Sequence, residues 1–163
     1  MFLQSLTGWK NESDDFYEEA MDCFNQCLAF DDRFMITSSI SELYFGYASH
    51  FLIEKNYDKA ERYYNKALNK VKDFEGIYHT IFEYDIAVIH ASLGYLYKLT
   101  DRDDESRLHV EASLEIVERL HLICPQVYSA DLGYLNRLKS DAPCVSESEH
   151  VLHIYHNIMT LFI

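Results

Sequence analysis

Asn56-Tyr57-Asp58-Lys59-Ala60-Glu61-Arg62-Tyr63-Tyr64-Asn65-Lys66-Ala67-Leu68 is the stretch on which the fold turns. Set against the stretch beginning at Phe16, its Tyr57, Ala60, Tyr64, Ala67 and Leu68 fall on Tyr17, Ala20, Phe24, Cys27 and Leu28, at a constant offset of 40. A further offset of 46 reaches Asp103, Ser106, Val110, Ser113 and Leu114. Twelve residues before Ala20, Ala60 and Ser106 stand Gly8, Ala48 and Gly94, all small, and three residues after the last two come Phe51 and Tyr97. Small side chains at fixed places let two helix backbones approach closely, and aromatic rings fill the space beside them. A helical hairpin built this way stacks on copies of itself.

Outward from that stretch the periodicity is helical throughout. Apolar residues recur at three and four positions, and no strand-like alternation is bracketed by hairpin turns. Helices are expected over 15–30, 37–54, 57–73, 78–99, 103–121, 126–139 and 146–162. Asp15-x-x-Glu18 and Ser146-x-x-Glu149 have the form of capping boxes, which satisfy orphan amides in a first turn. Pro125 suits a first helical position, where its missing N–H does no harm, and Asn56 and Thr100 fall where the chain must break and restart.

The pattern resembles the tetratricopeptide repeat family, whose signature is L-G-x2-Y on a first helix and A-x3-F (or Y), then A-L, on a second. Leu93-Gly94-Tyr95-Leu96-Tyr97 gives the first part and Ala60-x3-Tyr64-x2-Ala67-Leu68 the second. The resemblance covers residues 13–120; the closing proline is absent, and the spacings of 40 and 46 exceed the usual 34, which implies longer helices. The expected fold is therefore all-α, a right-handed superhelical stack of antiparallel hairpins with about seven helices, in one domain over 1–163. Residues 126–163 read as a degenerate C-terminal pair. The resemblance assigns Tyr17, Ala20, Phe24, Tyr57, Ala60, Tyr64, Ala67, Gly94, Tyr97 and Ser106 to packing between repeat helices.

Composition narrows the function. Fourteen basic residues against 27 acidic ones leave a formal charge of −13, which repels phosphate backbones, so no direct nucleic-acid partner is expected. The most apolar run, Val151 to Ile163, has 13 residues where a spanning helix needs about 20, so no membrane partner is expected either. Four cysteines without a secretory leader suit a reducing, cytoplasmic setting. No phosphate-cradling glycine loop, zinc-protease helix motif or nucleophile elbow is present, and neither catalysis nor a cofactor is expected. Cys23-x3-Cys27 puts two thiols on one helical face, a spacing open to a soft metal but read as packing. His150, His153 and His156, spaced by three, could share a face with Cys144 or Glu149 as a metal or proton-sensitive site, or form a polar helix edge. No metal is expected. Lys55, Lys59, Arg62, Lys66, Lys70 and Lys72 make a basic stripe between acidic neighbouring helices, read as a solvated face or as a docking surface for a basic partner.

The helix expected over 37–54 is apolar nearly all round and must be covered on every side. By analogy with the repeat family, Phe45, Ser49 and Leu52, with Val88, Ala91 and Tyr95 on the next first helix, would line a concave groove suited to a hydrophobic peptide or amphipathic helix. Family members that grip the carboxylate tail of heat-shock chaperones carry lysine, arginine and asparagine there. Phe45, Ser49, Val88 and Ser92 stand in those places, so that activity is not expected. The rival occupant of the groove is residues 146–162 folding back. The leading expectation is a non-catalytic interaction module for a protein or peptide partner, with a basic partner favoured by charge. Its rivals are a peptide-sensing regulatory domain and a structural subunit that self-associates through its C-terminal helix, for which the apolar end Leu161-Phe162-Ile163 speaks.

Overall fold

In a computed structural model of the chain, the residues described are 17–23, 33–72, 79–140 and 150. Among them there are six helices and no strand: α1 (residues 17–23), α2 (Arg33–Ile53), α3 (Tyr57–Lys72), α4 (His79–Leu99), α5 (Asp103–Ile123) and α6 (Pro125–Lys139). The expected helix over 146–162 lies outside the described residues except for His150, so six helices stand where about seven were expected. The residues form two compact units, one up to Asp73 and one from Phe74. In the first unit α2 packs on α3; in the second α4 packs on α5, and α5 on α6.

The two hairpins α2–α3 and α4–α5 are built alike, part for part, at the offset of 46 read from the sequence. Each first helix ends in the same left-handed turn. The N–H of Lys55 donates to Leu52 O (3.0 Å) and that of Asn56 to Phe51 O (2.9 Å); the N–H of Asp101 donates to Lys98 O (3.4 Å) and that of Arg102 to Tyr97 O (2.9 Å). This is the Schellman arrangement, and it sets Lys55 at φ 61° and Asp101 at φ 55°, where glycine is the usual occupant. A cation lies over the aromatic ring at both turns, Lys59 over Phe51 at 4.5 Å and Arg102 over Tyr97 at 4.3 Å.

The crossing of the two helices repeats as well. Ala48 and Ala60 are fully buried in the first hairpin, and Gly94 and Ser106 take their places in the second. There the Ser106 hydroxyl donates to Gly94 O at 2.8 Å. A further pair of equivalent positions carries one hydroxyl each time, on opposite helices. Ser41 on α2 donates to Ala67 O (3.0 Å), whereas Ser113 on α5 donates to Ala87 O (2.8 Å). Tyr64 and Ala67 are fully buried and Tyr97 is buried; Tyr57, Tyr17 and Ala20 are half-buried, and Phe24 lies outside the described residues.

Helix ends follow local chemistry. Cys124 alone separates α5 from α6, its extended φ of −140° imposed by the following Pro125, and its N–H closes α5 on Leu120 O. α2 begins at Arg33, four residues before the expected start at 37. α5 has no side-chain cap at Arg102, but Asp103, Asp104 and Glu105 fill its first turn and meet the positive end of the helix dipole.

Candidate functional site

The groove positions fall in separate units. In the first, Phe45, Ser49 and Leu52 are all buried. The Ser49 hydroxyl donates its proton to Phe45 O (2.9 Å), so the 3.0 Å contact with Tyr64 is donated by the tyrosine O–H, and the polar capacity of Ser49 is used inside the hairpin. Phe45 leans on the Tyr64 ring at 5.5 Å.

In the second unit, Val88, Ala91 and Tyr95 share one face of α4 with Tyr84, and that face is covered rather than open. Tyr84 donates to Asp131 Oδ1 of α6 at 3.2 Å and leans on Tyr128 at 5.3 Å. The space left among Tyr84, Val88, Ala91, Asp131 and Leu135 is about 10 Å³, at most one water. At the far end Tyr95, 1% exposed, is stacked under the His150 ring at 3.9 Å and 16°. His150, also 1% exposed, hydrogen-bonds through Nδ1 to the hydroxyl of Tyr134. The physical reason is the single-residue turn at Cys124, which sends α6 back along α5 and brings Tyr128, Asp131 and Leu135 onto the α4 face. His150 belongs to the stretch expected to fold back. His153, His156, Cys144 and Glu149 lie outside the described residues. Burial, and next the charge of Asp131, hold the Tyr84 phenol well above its usual range; burial raises Tyr128 also.

The first unit carries a different feature, a cleft of about 220 Å³ lined by Tyr17, Glu18, Met21 and Asp22 of α1, Tyr44 and Tyr47 of α2, and Tyr63 and Lys66 of α3. Four tyrosine rings form its wall. Tyr17 stacks on Tyr47 (4.3 Å, 23°), Tyr47 meets Tyr63 edge-on (4.5 Å, 60°), and Tyr63 leans on Tyr44 (6.0 Å). The ammonium of Lys66 lies 4.6 Å from the Tyr63 ring centre and 5.3 Å from that of Tyr44, and Arg62 lies 5.5 Å from Tyr63. Burial, and then the neighbouring Arg62, lower the pKa of Lys66, and burial raises that of Tyr44. The sequence pattern assigned Tyr17 to packing between repeat helices and gave Tyr63 no role. The available signal was two same-face pairs, Tyr44 with Tyr47 and Tyr63 with Lys66, each spaced by three.

Three other features stand apart from these faces. His90 and His109 meet Nδ1 to Nδ1 at 2.9 Å, which requires one ring to donate and the other to accept. A cleft of about 240 Å³ is lined by Lys98, Arg107 and Lys139 with Asp103 and the apolar Val110 and Leu138. Cys23 is exposed, and its partner in the spacing, Cys27, lies outside the described residues. No protein-family model, curated protein or solved structure matches the chain. Among the described residues, no group of three or more histidine, cysteine, aspartate or glutamate side chains is placed to hold a metal, and no helix is long and apolar enough to cross a membrane.

Proposed function

We propose that the chain is a non-catalytic interaction module of the tetratricopeptide kind, its hairpins stacked in a right-handed superhelix, binding a peptide or amphipathic helix of a partner protein through the apolar faces of its first helices. The observation that carries this reading is the recurrence of one hairpin design at an offset of 46, with the same turn, the same close crossing and a buried hydroxyl bridge between equivalent positions. Repeat proteins build extended binding surfaces from units made to one plan. Phe45 and Leu52, buried in the first unit, and Val88, Ala91 and Tyr95, on the covered face of the second, are the apolar side chains a partner would reach. On this reading His150 occupies the second face in place of a partner, and a partner binds by displacing it.

The test compares full-length chains in partner capture from cell extract. His150→Ala uncovers Tyr95 and increases capture, whereas Phe45→Glu abolishes it. Capture unchanged by both substitutions, in chains whose helical circular dichroism is intact, would sink the groove reading. A second reading, self-association, is favoured by Leu122, Ile123 and Val127, exposed by 83%, 77% and 59% around the turn between α5 and α6. Light scattering of the wild type and Ile123→Ser decides it: a concentration-dependent dimer weakened by the substitution supports it, and a monomer throughout removes it.

A further inference from the structure

We infer that the tyrosine cleft of the first unit is a binding site for the cationic side chain, lysine or arginine, of a basic protein segment. It is independent of the groove reading, because none of the cleft residues is a groove residue. The rings of Tyr44 and Tyr63 already face an ammonium, that of Lys66, at 5.3 and 4.6 Å, which is the distance at which a cation is attracted to an aromatic face. Beside that wall Glu18 and Asp22, one turn apart on α1, bring two exposed carboxylates to the cleft, and neither makes an ion pair among the described residues. The volume of about 220 Å³ accommodates a side-chain head group, and the charge of −13 draws basic segments toward the chain.

Lys66 holds the place until such a partner arrives. Its ammonium is carried on a flexible four-carbon stem from a half-buried position, so it can swing out to water as the incoming cation enters. A guanidinium suits the site better than the resident ammonium, because its plane stacks on a ring while its edge reaches a carboxylate.

The experiment titrates the full chain with a pentapeptide bearing one arginine between glycines, and with its glutamate counterpart. It follows the tyrosine ring resonances by NMR at about 0.15 M salt, where surface attraction is screened beyond about 8 Å. The arginine peptide is expected to saturate the site. Tyr63→Leu, which leaves the charge unchanged, should weaken it about fivefold or more, and Lys66→Met should strengthen it about threefold or more. Where Tyr63→Leu fails to fold, Tyr44→Leu carries the same expectation. Equal binding to the wild type and the ring variants would mean attraction to the acidic surface alone and overturn the site. So would the absence of saturable binding, or preference for the glutamate peptide with binding lost in Lys66→Met.

Discussion

On the first helices, one methyl group separates the two close crossings. At Ala48 the first hairpin accepts it, but at Gly94 a β-carbon would stand 2.6 Å from Val110 Cγ2 and 3.3 Å from the Ser106 carbonyl and the Val110 amide. Backbone atoms cannot step aside, so Gly94→Ala should destabilise the chain by about 1–3 kcal/mol in urea unfolding. Gly133→Ala is the control. Its added carbon meets only the far end of the Arg137 side chain at 3.7 Å, and relief of glycine's helix penalty should stabilise by up to about 1 kcal/mol. Gly94 was legible in the sequence because a small residue recurs at a fixed distance from the next helix. Tyr63 was not. Its ring joins the cleft only when α1, α2 and α3 are brought together, and nothing in the spacing of one helix states which of its faces another will meet.

Between residue and molecule, the helix ends carry most of the information. Lys55 and Asp101 accept a left-handed backbone at the junctions of both hairpins, a conformation that disfavours any residue with a β-carbon. Lys55→Gly and Asp101→Gly should each raise the unfolding free energy by about 0.5–1 kcal/mol, read from thermal or urea melts. A fall would mean that the side chains contribute more than the strain removes. Helices α3 to α6 were legible to within about two residues because breaks at Asn56, Thr100 and Pro125 are local events. What α6 covers was not legible, because an apolar face on α4 reads the same whether its neighbour is a partner or Leu135 of the same chain.

The contact of Tyr84 with α6 also fixes how the chain responds to alkali. Burial and Asp131 raise the phenol of the folded chain, while an unfolded tyrosine releases its proton near about pH 10. Above that value the unfolded form binds fewer protons than the folded one, so stability is complete below about pH 10 and falls as the pH rises beyond it. Alkaline unfolding followed by circular dichroism should show this loss. Tyr84→Phe should flatten the dependence while lowering stability near neutrality, because Asp131 then loses a donor.

At the scale of the whole molecule, 27 acidic residues against 14 basic ones make self-repulsion the main long-range term. Among the described residues, the ion pairs that oppose it include local, exposed ones such as Arg107 with Asp104 at 2.8 Å and Arg102 with Glu105 at 3.1 Å, and pairs of that kind contribute about 0–1 kcal/mol. Raising ionic strength from about 0.01 to 0.15 M shortens the screening length from about 30 to 8 Å, and the thermal midpoint should rise with it. A fall would show that the surface pairs outweigh the repulsion. Helical class and repeat spacing were legible at this scale because they are periodic. That residues 146–162 could fold back on the groove was legible as the rival to a partner, but that His150 is the residue stacked on Tyr95 was not, since the two are 55 positions apart in sequence. The tyrosine wall has one consequence of another kind. Rings held at 4.3 and 4.5 Å in fixed, chiral orientation couple their electronic transitions, so Tyr17, Tyr47 and Tyr63 should give a near-ultraviolet dichroic band stronger than isolated phenols produce. The cleft thereby carries its own optical reporter, and whatever enters it should announce itself without a label.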